Sequence, residues 1–248
     1  MPRRIEGPPP GALRVAGRSV AVFERVSGDM RCQASVTAED MNRLGRALAS
    51  GHLATAGFGW RRHSRFGGES ILRRADELQA LVGHELDASF GELIPRLRAR
   101  LEAEVPAGVP AGPIHGDLFR DNVLWRGEEL CALLDWESAA HGSFVADLGV
   151  VFLSWCFRDT FDWACGRALC EGYASKRNLT GAEKSAFYVL LLRSAARFAL
   201  TRIADFHLRE AALLASGAVV KDYRRFVRRL DTLEDLGQEQ VAERLWSQ

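Results

Sequence analysis

The sequence predicts an α+β protein: a mostly helical chain with a small β-hairpin near its start and a second hairpin inserted into the helical body. Residues 12–23 contain two short β-branched and apolar runs around Ala16-Gly17-Arg18. After Thr37 apolar residues recur at helical spacing over most of the chain, and residues 123–134 are typical of strand, turn and strand. Strands and helices kept in separate stretches are typical of α+β architecture.

Residues 1–11 are expected to be a disordered tail. Pro8, Pro9 and Pro10 lack backbone donors and fix their own φ angles, so this stretch cannot join a helix or a sheet. Residues 12–29 follow as the first hairpin and a connecting segment. That hairpin must pack on something, because a lone hairpin is marginally stable in water. Residues 30–248 form the helical body, which carries the second hairpin.

The helical body is predicted to begin at Thr37, whose hydroxyl can form a capping box with Asp40. Its apolar stripe is expected from Met41, Leu44, Leu48 and Leu53. A second capping box is predicted at Ser89 with Glu92. Further helices are expected over residues 71–86, 89–105, about 144–157 and about 161–177. A long helix is expected to start at Thr180, with Glu183 at its third position, and is followed by one that includes residues 223–233 and by a short one at the C-terminal end.

Composition narrows the class of partner. Lysine and arginine number 33 against 32 acidic residues, so the chain lacks the field that attracts nucleic acid or an anionic membrane surface. Neither is expected as a partner, and a small-molecule substrate fits better. Five cysteines with no C-x-x-C pair argue against a disulfide framework or a zinc site. With no signal-like or membrane-length apolar run, we expect a soluble, cytoplasmic protein.

The most informative stretch is Pro113-Ile114-His115-Gly116-Asp117-Leu118-Phe119-Arg120-Asp121-Asn122. Histidine, aspartate and asparagine stand here in the spacing H-x-D-x-x-x-x-N, which is typical of a phosphotransferase catalytic loop. In such a loop the aspartate receives the proton of the acceptor hydroxyl, so Asp117 is the candidate general base. His115 is the second candidate catalytic residue, and we expect it to orient the loop by hydrogen bonding rather than to titrate.

A magnesium site is predicted where the second hairpin meets this loop. Its strands, 123–125 and 130–134, flank a four-residue turn, and symmetric pairing about that turn places Asn122 opposite Asp135. Directly opposed residues have Cβ atoms about 4.5 to 5.5 Å apart, so a carboxamide oxygen and a carboxylate can meet at one hard cation. Mg²⁺ needs only one or two carboxylates, because water and substrate phosphates fill its remaining positions.

Two further polar residues have competing interpretations. Asp147 stands at the start of an apolar helix, where it can cap that helix or tie backbone amides of the catalytic loop, and a structural role is favoured. For His52, near an apolar stripe, a buried and hydrogen-bonded histidine is favoured over a catalytic one. The alternative for the whole set is a polar turn with two capping aspartates. The loop spacing, its apolar flanks and a second aspartate at the end of the hairpin together argue against that alternative.

These motifs resemble those of the aminoglycoside phosphotransferase and choline kinase superfamily. The resemblance rests on His115-Gly116-Asp117 with Asn122, on Leu134-Asp135-Trp136-Glu137 and on Asp147-Leu148-Gly149. The resemblance covers most of residues 12–235. It implies a protein-kinase-like fold and an enzyme that phosphorylates small hydroxyl-bearing molecules with ATP and Mg²⁺. Within the superfamily the sequence looks most like the homoserine kinases, on residues 114–123, 153–157 and 197–207. The implied activity is O-phosphorylation of homoserine, a step of threonine biosynthesis.

The resemblance also implies roles for single residues. The residues carried over are Asp117 as the base, Asn122 and Asp135 as magnesium ligands, and Phe23, Glu24 and Arg25 as the hinge whose backbone meets adenine. Arg202 would help to hold the carboxylate of the acceptor. An ion pair on the helix face is an equal alternative for that arginine.

The chain departs from the superfamily pattern at its beginning. The superfamily has an N-terminal lobe with a glycine-rich phosphate loop, a lysine on its third strand and a glutamate on the next helix. Here only 22 residues precede Phe23, and the three lysines are Lys176, Lys184 and Lys221. The resemblance therefore implies that the given chain keeps only a remnant hairpin of that lobe and transfers phosphate poorly or not at all. Either the gene starts further upstream, or the protein is a shortened remnant of the fold.

The same residues are compatible with other functions. One is a kinase for another small molecule, such as an aminoglycoside or choline, and another is a non-catalytic binding remnant of the kinase fold. A metal-dependent hydrolase using His115, Asp117 and Asp135 has the least support, because the sequence lacks a further histidine in ligand spacing.

Overall fold

The computed structural model describes residues 14–20, 22–59 and 61–246, apart from the side chains of residues 18 and 19. The strands in this part of the chain are β1 (Arg14–Val15), β2 (Arg18–Ser19), β3 (Ala111–Ile114), β4 (Val123–Arg126), β5 (Glu129–Leu133) and β6 (Ala140–Ser143). The helices are α1 (Ala38–Thr55), α2 (Gly68–Ala80), α3 (Phe90–Glu102), α4 (Phe144–Trp155), α5 (Trp163–Ala174), α6 (Gly181–Arg202), α7 (Glu210–Ala215) and α8 (Arg224–Trp246). A π-helical turn, Ile203–His207, extends α6. The α+β expectation is confirmed.

The N-terminal hairpin is present but short. β1 and β2 pair antiparallel, with Arg14 opposite Ser19 and Val15 opposite Arg18. Ala16 and Gly17 both have positive φ angles, 50° and 77°, which is the backbone of a two-residue turn whose twist suits a hairpin. Residues 12, 13 and 21, which the sequence also assigns to the hairpin, lie outside the described residues.

Helix α1 begins as predicted. The Thr37 hydroxyl accepts the amide of Asp40, and the Asp40 carboxylate accepts the amide of Thr37, which completes the capping box. Met41, Leu44 and Leu48 are buried against the core. The prediction is wrong for Leu53, whose side chain is 51 % exposed, because it follows Leu48 by five residues and so turns away from the buried face, where His52, four residues after Leu48, lies instead.

The predicted capping box at Ser89 is wrong. Ser89 has helical angles, φ −65° and ψ −23°, and its side chain makes no capping bond to α3. Its hydroxyl and its amide donate instead to the Asp87 carboxylate, two residues earlier. A charged carboxylate is the stronger acceptor, so Asp87 holds this turn and Ser89 is drawn back toward it.

Helices α1 and α5 cross with their backbones in close contact. A Cβ atom at Gly45 would lie 2.2 Å from the Leu169 carbonyl oxygen, and one at Gly172 would lie 2.1 Å from the Asn42 carbonyl oxygen. Only glycine fits at either position, because real Cβ atoms do not approach backbone oxygen below 3 Å. This contact fixes α1, which carries His52, relative to the rest of the helical body.

Helix α4 lies at the centre of the core. Val145, Leu148, Val151 and Phe152 are all fully buried, and the helix packs chiefly against α6. The Phe152 ring stacks on Phe161 with centroids 4.9 Å apart. Because close-packed interiors hold their side chains in place, the start of α4 is a rigid platform for the groups it presents.

A two-stranded sheet that the sequence does not predict leads into the catalytic loop. β3 pairs antiparallel with β6, with Gly112 opposite Gly142 and Ile114 opposite Ala140. β3 ends where the loop begins, and β6 continues directly into α4. The sheet therefore holds the loop beside the first turn of α4.

The C-terminal region consists of two helical segments, as predicted. α8 is interrupted at Gly237, whose φ of 74° and ψ of 169° are not helical. Although α6 and α8 span 22 and 23 residues, no helix in the described part of the chain is long and apolar enough to cross a membrane.

Candidate functional site

The loop after β3 is shaped by a glycine and an aspartate. Gly116 has a φ of 77°, which L-residues rarely adopt, and this explains a glycine between His115 and Asp117. The Asp147 carboxylate accepts the amides of His115 and Gly116, each at 2.7 Å. These contacts confirm the expectation that Asp147 ties backbone amides of the loop.

Asp147 is itself held by a buried histidine. His52 Nε2 lies 3.1 Å from the Asp147 carboxylate and Nδ1 lies 2.7 Å from the Tyr173 hydroxyl. Burial raises the pKa of Asp147, but the hydrogen bond and charge of His52, with the backbone donors, outweigh it and leave that pKa below its usual range. His52 is 3 % exposed, so its interpretation as a buried and hydrogen-bonded histidine is confirmed.

His115 is buried and uses both ring nitrogens. Nδ1 faces the Asp117 amide at 3.3 Å and must accept, and Nε2 faces the Leu134 carbonyl at 2.7 Å and must donate. The Trp136 ring packs on the imidazole with centroids 4.7 Å apart. These contacts fix the loop against the end of β5, which is the orienting role expected from the sequence.

The Asp117 carboxylate faces a pocket and makes no hydrogen bond among the described residues. Burial raises its pKa, while the charges of Arg197 and Lys221 oppose that effect. A carboxylate with a raised pKa is a better proton acceptor, and neighbouring cations keep it ionised near neutral pH. The environment therefore suits a general base.

Arg197 on α6 is a site residue that the motif analysis did not single out. Its guanidinium donates to the Gly116 carbonyl oxygen at 2.7 Å and lies 3.9 Å from the Phe198 ring centroid. Burial lowers the pKa of Arg197 to about 10, and the carboxylates of Asp117 and Asp147 act against this. The available signal was a lone arginine within the buried run from Ser194 to Leu200.

The pocket in front of Asp117 is small and carries both signs of charge. It has a volume of about 120 Å³. Its lining residues are Arg65, Phe66, Asp117, Phe119, Arg197, Phe198, Thr201, Arg202, Asp205, Phe206 and Lys221. Arg202 donates to the Asp222 carbonyl oxygen at 2.9 Å and packs on the Phe226 ring at 4.5 Å. The structure therefore brings Arg202 into the same pocket as the candidate base, and no carboxylate among the described residues forms an ion pair with it.

The predicted register of the second hairpin is wrong by one residue. Val123 is opposite Leu133, and the Leu134 amide donates to the Asn122 carbonyl oxygen at 2.8 Å, so Asn122 faces Leu134 rather than Asp135. Pairing that is symmetric about the turn sets Trp125 opposite Leu130 and, continued without interruption, would place Asn122 opposite Leu133. The bulge between Leu124 and Trp125 displaces the pairing by one residue, to Leu134, which is still one residue short of Asp135. Asp135 follows next, in the left-handed region with φ 58° and ψ 61°.

Asn122 and Asp135 each present a side-chain oxygen of the kind that hard cations prefer. The Asn122 amide nitrogen donates to the Asp117 carbonyl oxygen at 2.8 Å, which leaves its side-chain oxygen without a partner. The Asp135 carboxylate is exposed and has no hydrogen bond or ion pair in the described part of the chain. Residues 14–20, 22–59 and 61–246 contain no cluster of three or more His, Cys, Asp and Glu side chains that could hold a metal.

The segment that follows the predicted hinge pairs with the second hairpin. Phe23, Glu24 and Arg25 are exposed. Asp29, four residues further on, exchanges backbone hydrogen bonds of 2.7 and 2.9 Å with Trp125 on β4. The structure thus joins Asp29 to the strand that follows Asn122, whereas Arg202 lies in the pocket in front of Asp117.

Comparison with known proteins identifies relatives of this chain. The model of the phosphotransferase enzyme family matches residues 12–179. Homoserine kinase from Gluconacetobacter diazotrophicus is 33 % identical over 237 residues, which cover 92 % of this chain and 71 % of that protein. Homoserine kinase from Methylocella silvestris is 35 % identical over 206 residues, which cover 79 % of this chain and 61 % of that protein. The chain thus spans about 60 to 70 % of the length of these relatives.

Solved structures share the fold at lower identity. A choline/ethanolamine kinase family protein from Mesorhizobium loti superposes with a TM-score of 0.61 at 19 % identity, covering 98 % of this chain and 76 % of that one. Amicoumacin kinase hAmiN, in complex with AMP-PNP, Ca²⁺ and Ami, superposes with a TM-score of 0.62 at 16 % identity. The match covers 89 % of this chain and 68 % of that one. The fold of the aminoglycoside phosphotransferases and choline kinases, expected from the sequence, is confirmed.

Proposed function

The chain belongs to the phosphotransferase enzyme family, and from that premise we propose that it acts in ATP-dependent phosphorylation of a small hydroxyl compound, with homoserine as the acceptor. One observation carries the proposal. The Asp117 carboxylate, on a loop fixed by Asp147 and Arg197, faces a small pocket lined by cationic and acidic groups. A base at the edge of an acceptor-sized pocket is what hydroxyl phosphorylation needs.

In the proposed reaction the acceptor hydroxyl donates a hydrogen bond to the Asp117 carboxylate. As the hydroxyl oxygen forms its bond to the γ-phosphorus of ATP, its proton passes to Asp117 and the bond from γ-phosphorus to the bridging oxygen breaks, releasing ADP. The raised pKa of Asp117, caused by burial, assists the proton transfer. Such general-base help contributes about 10² to 10⁴ in rate.

Asn122 and Asp135 would hold Mg²⁺, which neutralises charge on the phosphates when bound. The free Asp135 carboxylate and the unoccupied side-chain oxygen of Asn122 support this assignment. Phe23, Glu24 and Arg25 are proposed as the backbone segment that meets adenine. The bound AMP-PNP and Ca²⁺ of the amicoumacin kinase support a nucleotide with a divalent cation for this family fold.

The size and charge of the pocket support an amino-acid acceptor. Its volume of about 120 Å³ is well below the ~300 Å³ at which sites for drug-sized ligands begin, which disfavours an aminoglycoside. Arg202 and Lys221 can pair with an α-carboxylate. Asp205 forms an ion pair with Arg74 through one oxygen, and its second oxygen can accept an α-ammonium group. Choline, a cation without a carboxylate, would leave the arginines unpaired.

Transfer of phosphate can be measured directly. The purified chain is incubated with ATP, Mg²⁺ and homoserine, choline or kanamycin, and the phosphorylated product is identified by mass spectrometry. We expect O-phosphohomoserine, formed slowly because no lysine stands ahead of the loop that carries Asp117, and little product from the other two acceptors. Homoserine binding, measured by calorimetry without nucleotide, separates the steps: binding with no transfer would favour a non-catalytic binding protein, and no binding would overturn the assignment of the acceptor.

A further inference from the structure

A second and larger pocket lies on the other side of Arg202 from Asp117. Its volume is about 510 Å³, and it shares Phe119, Arg202 and Lys221 with the pocket of the candidate base. Arg120 and Arg225 contribute further basic side chains to its wall. The proposed phosphoryl transfer makes no use of these two arginines.

Arg120, Arg202 and Arg225 form no ion pair in the part of the chain that the structure describes, whereas Arg31, which also lines the pocket, pairs with Asp40 at 3.1 Å. Arg120 Nη1 is buried and has no hydrogen-bond partner. Arg202 bonds only to a backbone carbonyl. The two carboxylates of the lining are engaged elsewhere, Asp121 with Lys221 at 3.9 Å and Asp222 with Arg224 at 3.5 Å, and they offset the charge of Arg120 and Arg202 only in part. Cationic side chains therefore outnumber carboxylates in the wall of this pocket.

The arginines also act on one another. Burial, together with the charge of Arg225, lowers the pKa of Arg202 to about 10. The pKa of Arg120 is lowered by burial first and then by Arg225. Arg229, behind the Phe226 ring, has its pKa lowered to about 9 by burial and then by Arg225, Arg202 and Arg120. Like charges held this close disfavour one another unless an anion lies between them.

We propose that this pocket binds an oxyanion, the phosphate or carboxylate group of a small ligand, between Arg120, Arg202 and Arg225. Guanidinium groups present several donors in a planar fork that matches both oxyanions. A bound oxyanion satisfies the buried Nη1 of Arg120 and removes the repulsion among the three arginines. Two sources share this chemistry: the carboxylate of the acceptor, reaching across Arg202, and a separate phosphate-bearing ligand.

Cys32 makes binding measurable without turnover. Its thiol is exposed in the wall of this pocket, whereas Cys156, Cys165 and Cys170 are buried. With the other accessible thiol removed by Cys131→Ser, the rate at which a chromogenic disulfide reagent modifies Cys32 reports on occupancy. The probes are inorganic phosphate and homoserine, each alone and then together, without nucleotide.

We expect phosphate to slow the modification of Cys32. Arg120→Gln and Arg225→Gln should each weaken that protection about tenfold or more, because each substitution removes a charge-assisted hydrogen bond to the bound oxyanion. Arg228→Gln is the matched control, because it removes the same charge from an exposed position of α8 that lies outside the pocket and leaves the Arg224–Asp222 pair intact. Circular dichroism confirms that each variant is folded.

The two probes distinguish the sources of the oxyanion. Protection by homoserine as well as by phosphate assigns the pocket to the carboxylate of the acceptor, and protection by phosphate but not by homoserine assigns it to a separate phosphate-bearing ligand. Protection by neither probe overturns the proposal, as does protection that Arg120→Gln and Arg225→Gln leave unchanged. Because nucleotide is absent, failure of phosphoryl transfer leaves this result unaffected.

Discussion

Arg197 on α6 donates a hydrogen bond of 2.7 Å to the carbonyl oxygen of Gly116, the residue that joins His115 to Asp117. The amide of Gly116 is held from the other side by the Asp147 carboxylate, also at 2.7 Å. Both polar groups of this one peptide residue are thus fixed by side chains of two different helices. The orientation of the Asp117 carboxylate follows from these two contacts.

Replacing Arg197 should change both the rate and its pH dependence. In Arg197→Gln we expect kcat to fall about 10- to 100-fold, because a charge-assisted hydrogen bond to the loop is lost. The Arg197 charge opposes the rise of the Asp117 pKa, so its removal raises that pKa and moves the acid limb of the kcat profile to higher pH. Arg193→Gln, one turn away and bonded to Ala103, is the control. An acid limb at the same pH in both variants would contradict this role.

Asp147→Asn should destabilise the whole protein. Breaking a buried charged contact by removing one partner costs about 3 to 5 kcal/mol, measured as the free energy of unfolding in urea. The folded pKa of Asp147 is lowered, so its contribution is present above the unfolded pKa of about 4 and is lost as the pH falls through the folded pKa. The difference between wild type and Asp147→Asn should therefore shrink below about pH 4. Asp159→Asn, an exposed aspartate, should change stability by no more than about 0.5 kcal/mol.

Two glycines of α1 should respond in opposite directions to alanine. Gly45→Ala places a methyl group 2.2 Å from the Leu169 carbonyl oxygen, and we expect a loss of about 1 to 3 kcal/mol or more as α1 and α5 move apart. A Cβ atom at Gly51 meets nothing within 4 Å, so Gly51→Ala should stabilise the helix by about 0.5 to 1 kcal/mol. Thermal unfolding of both variants checks the contact, and equal shifts would rule it out.

Asp135 should be needed for the divalent cation. Asp135→Asn removes the proposed anionic ligand, and binding of Mn²⁺, used as a paramagnetic substitute for Mg²⁺, should weaken at least about tenfold. Asp121→Asn is the control in the same loop, because Asp121 pairs with Lys221 and is not proposed as a ligand. Equal Mn²⁺ affinity in Asp135→Asn and Asp121→Asn would remove Asp135 from the metal site.

Local sequence patterns predicted the parts of the site that are local. The spacing of His115, Asp117 and Asn122 lies within one loop, and the capping residue Thr37 acts on its own helix. The register of the second hairpin was predicted one residue out, because two apolar strands of unequal length do not fix which residues pair, and the bulge between Leu124 and Trp125 leaves no mark in either. A pattern of alternation cannot reveal which residue is skipped.

Contacts between distant segments were harder to predict. β3 and β6 are four residues each, contain glycine, and pair across a long separation in sequence, so no alternating pattern marked them. The bond from Arg197 to Gly116 spans 81 residues, and only the packing of α6 against the loop reveals it. Asp147 was placed correctly because its position at the start of an apolar helix limits what its carboxylate can reach.

Asp117→Asn tests the central claim most directly, because it removes the proposed base and keeps the size of the side chain. The measurement is kcat for phosphorylation of homoserine, with homoserine affinity determined separately by calorimetry. We predict a fall in kcat of about 10² to 10⁴ with the affinity for homoserine changed little. A kcat within a few-fold of wild type would contradict the assignment of Asp117 as the base.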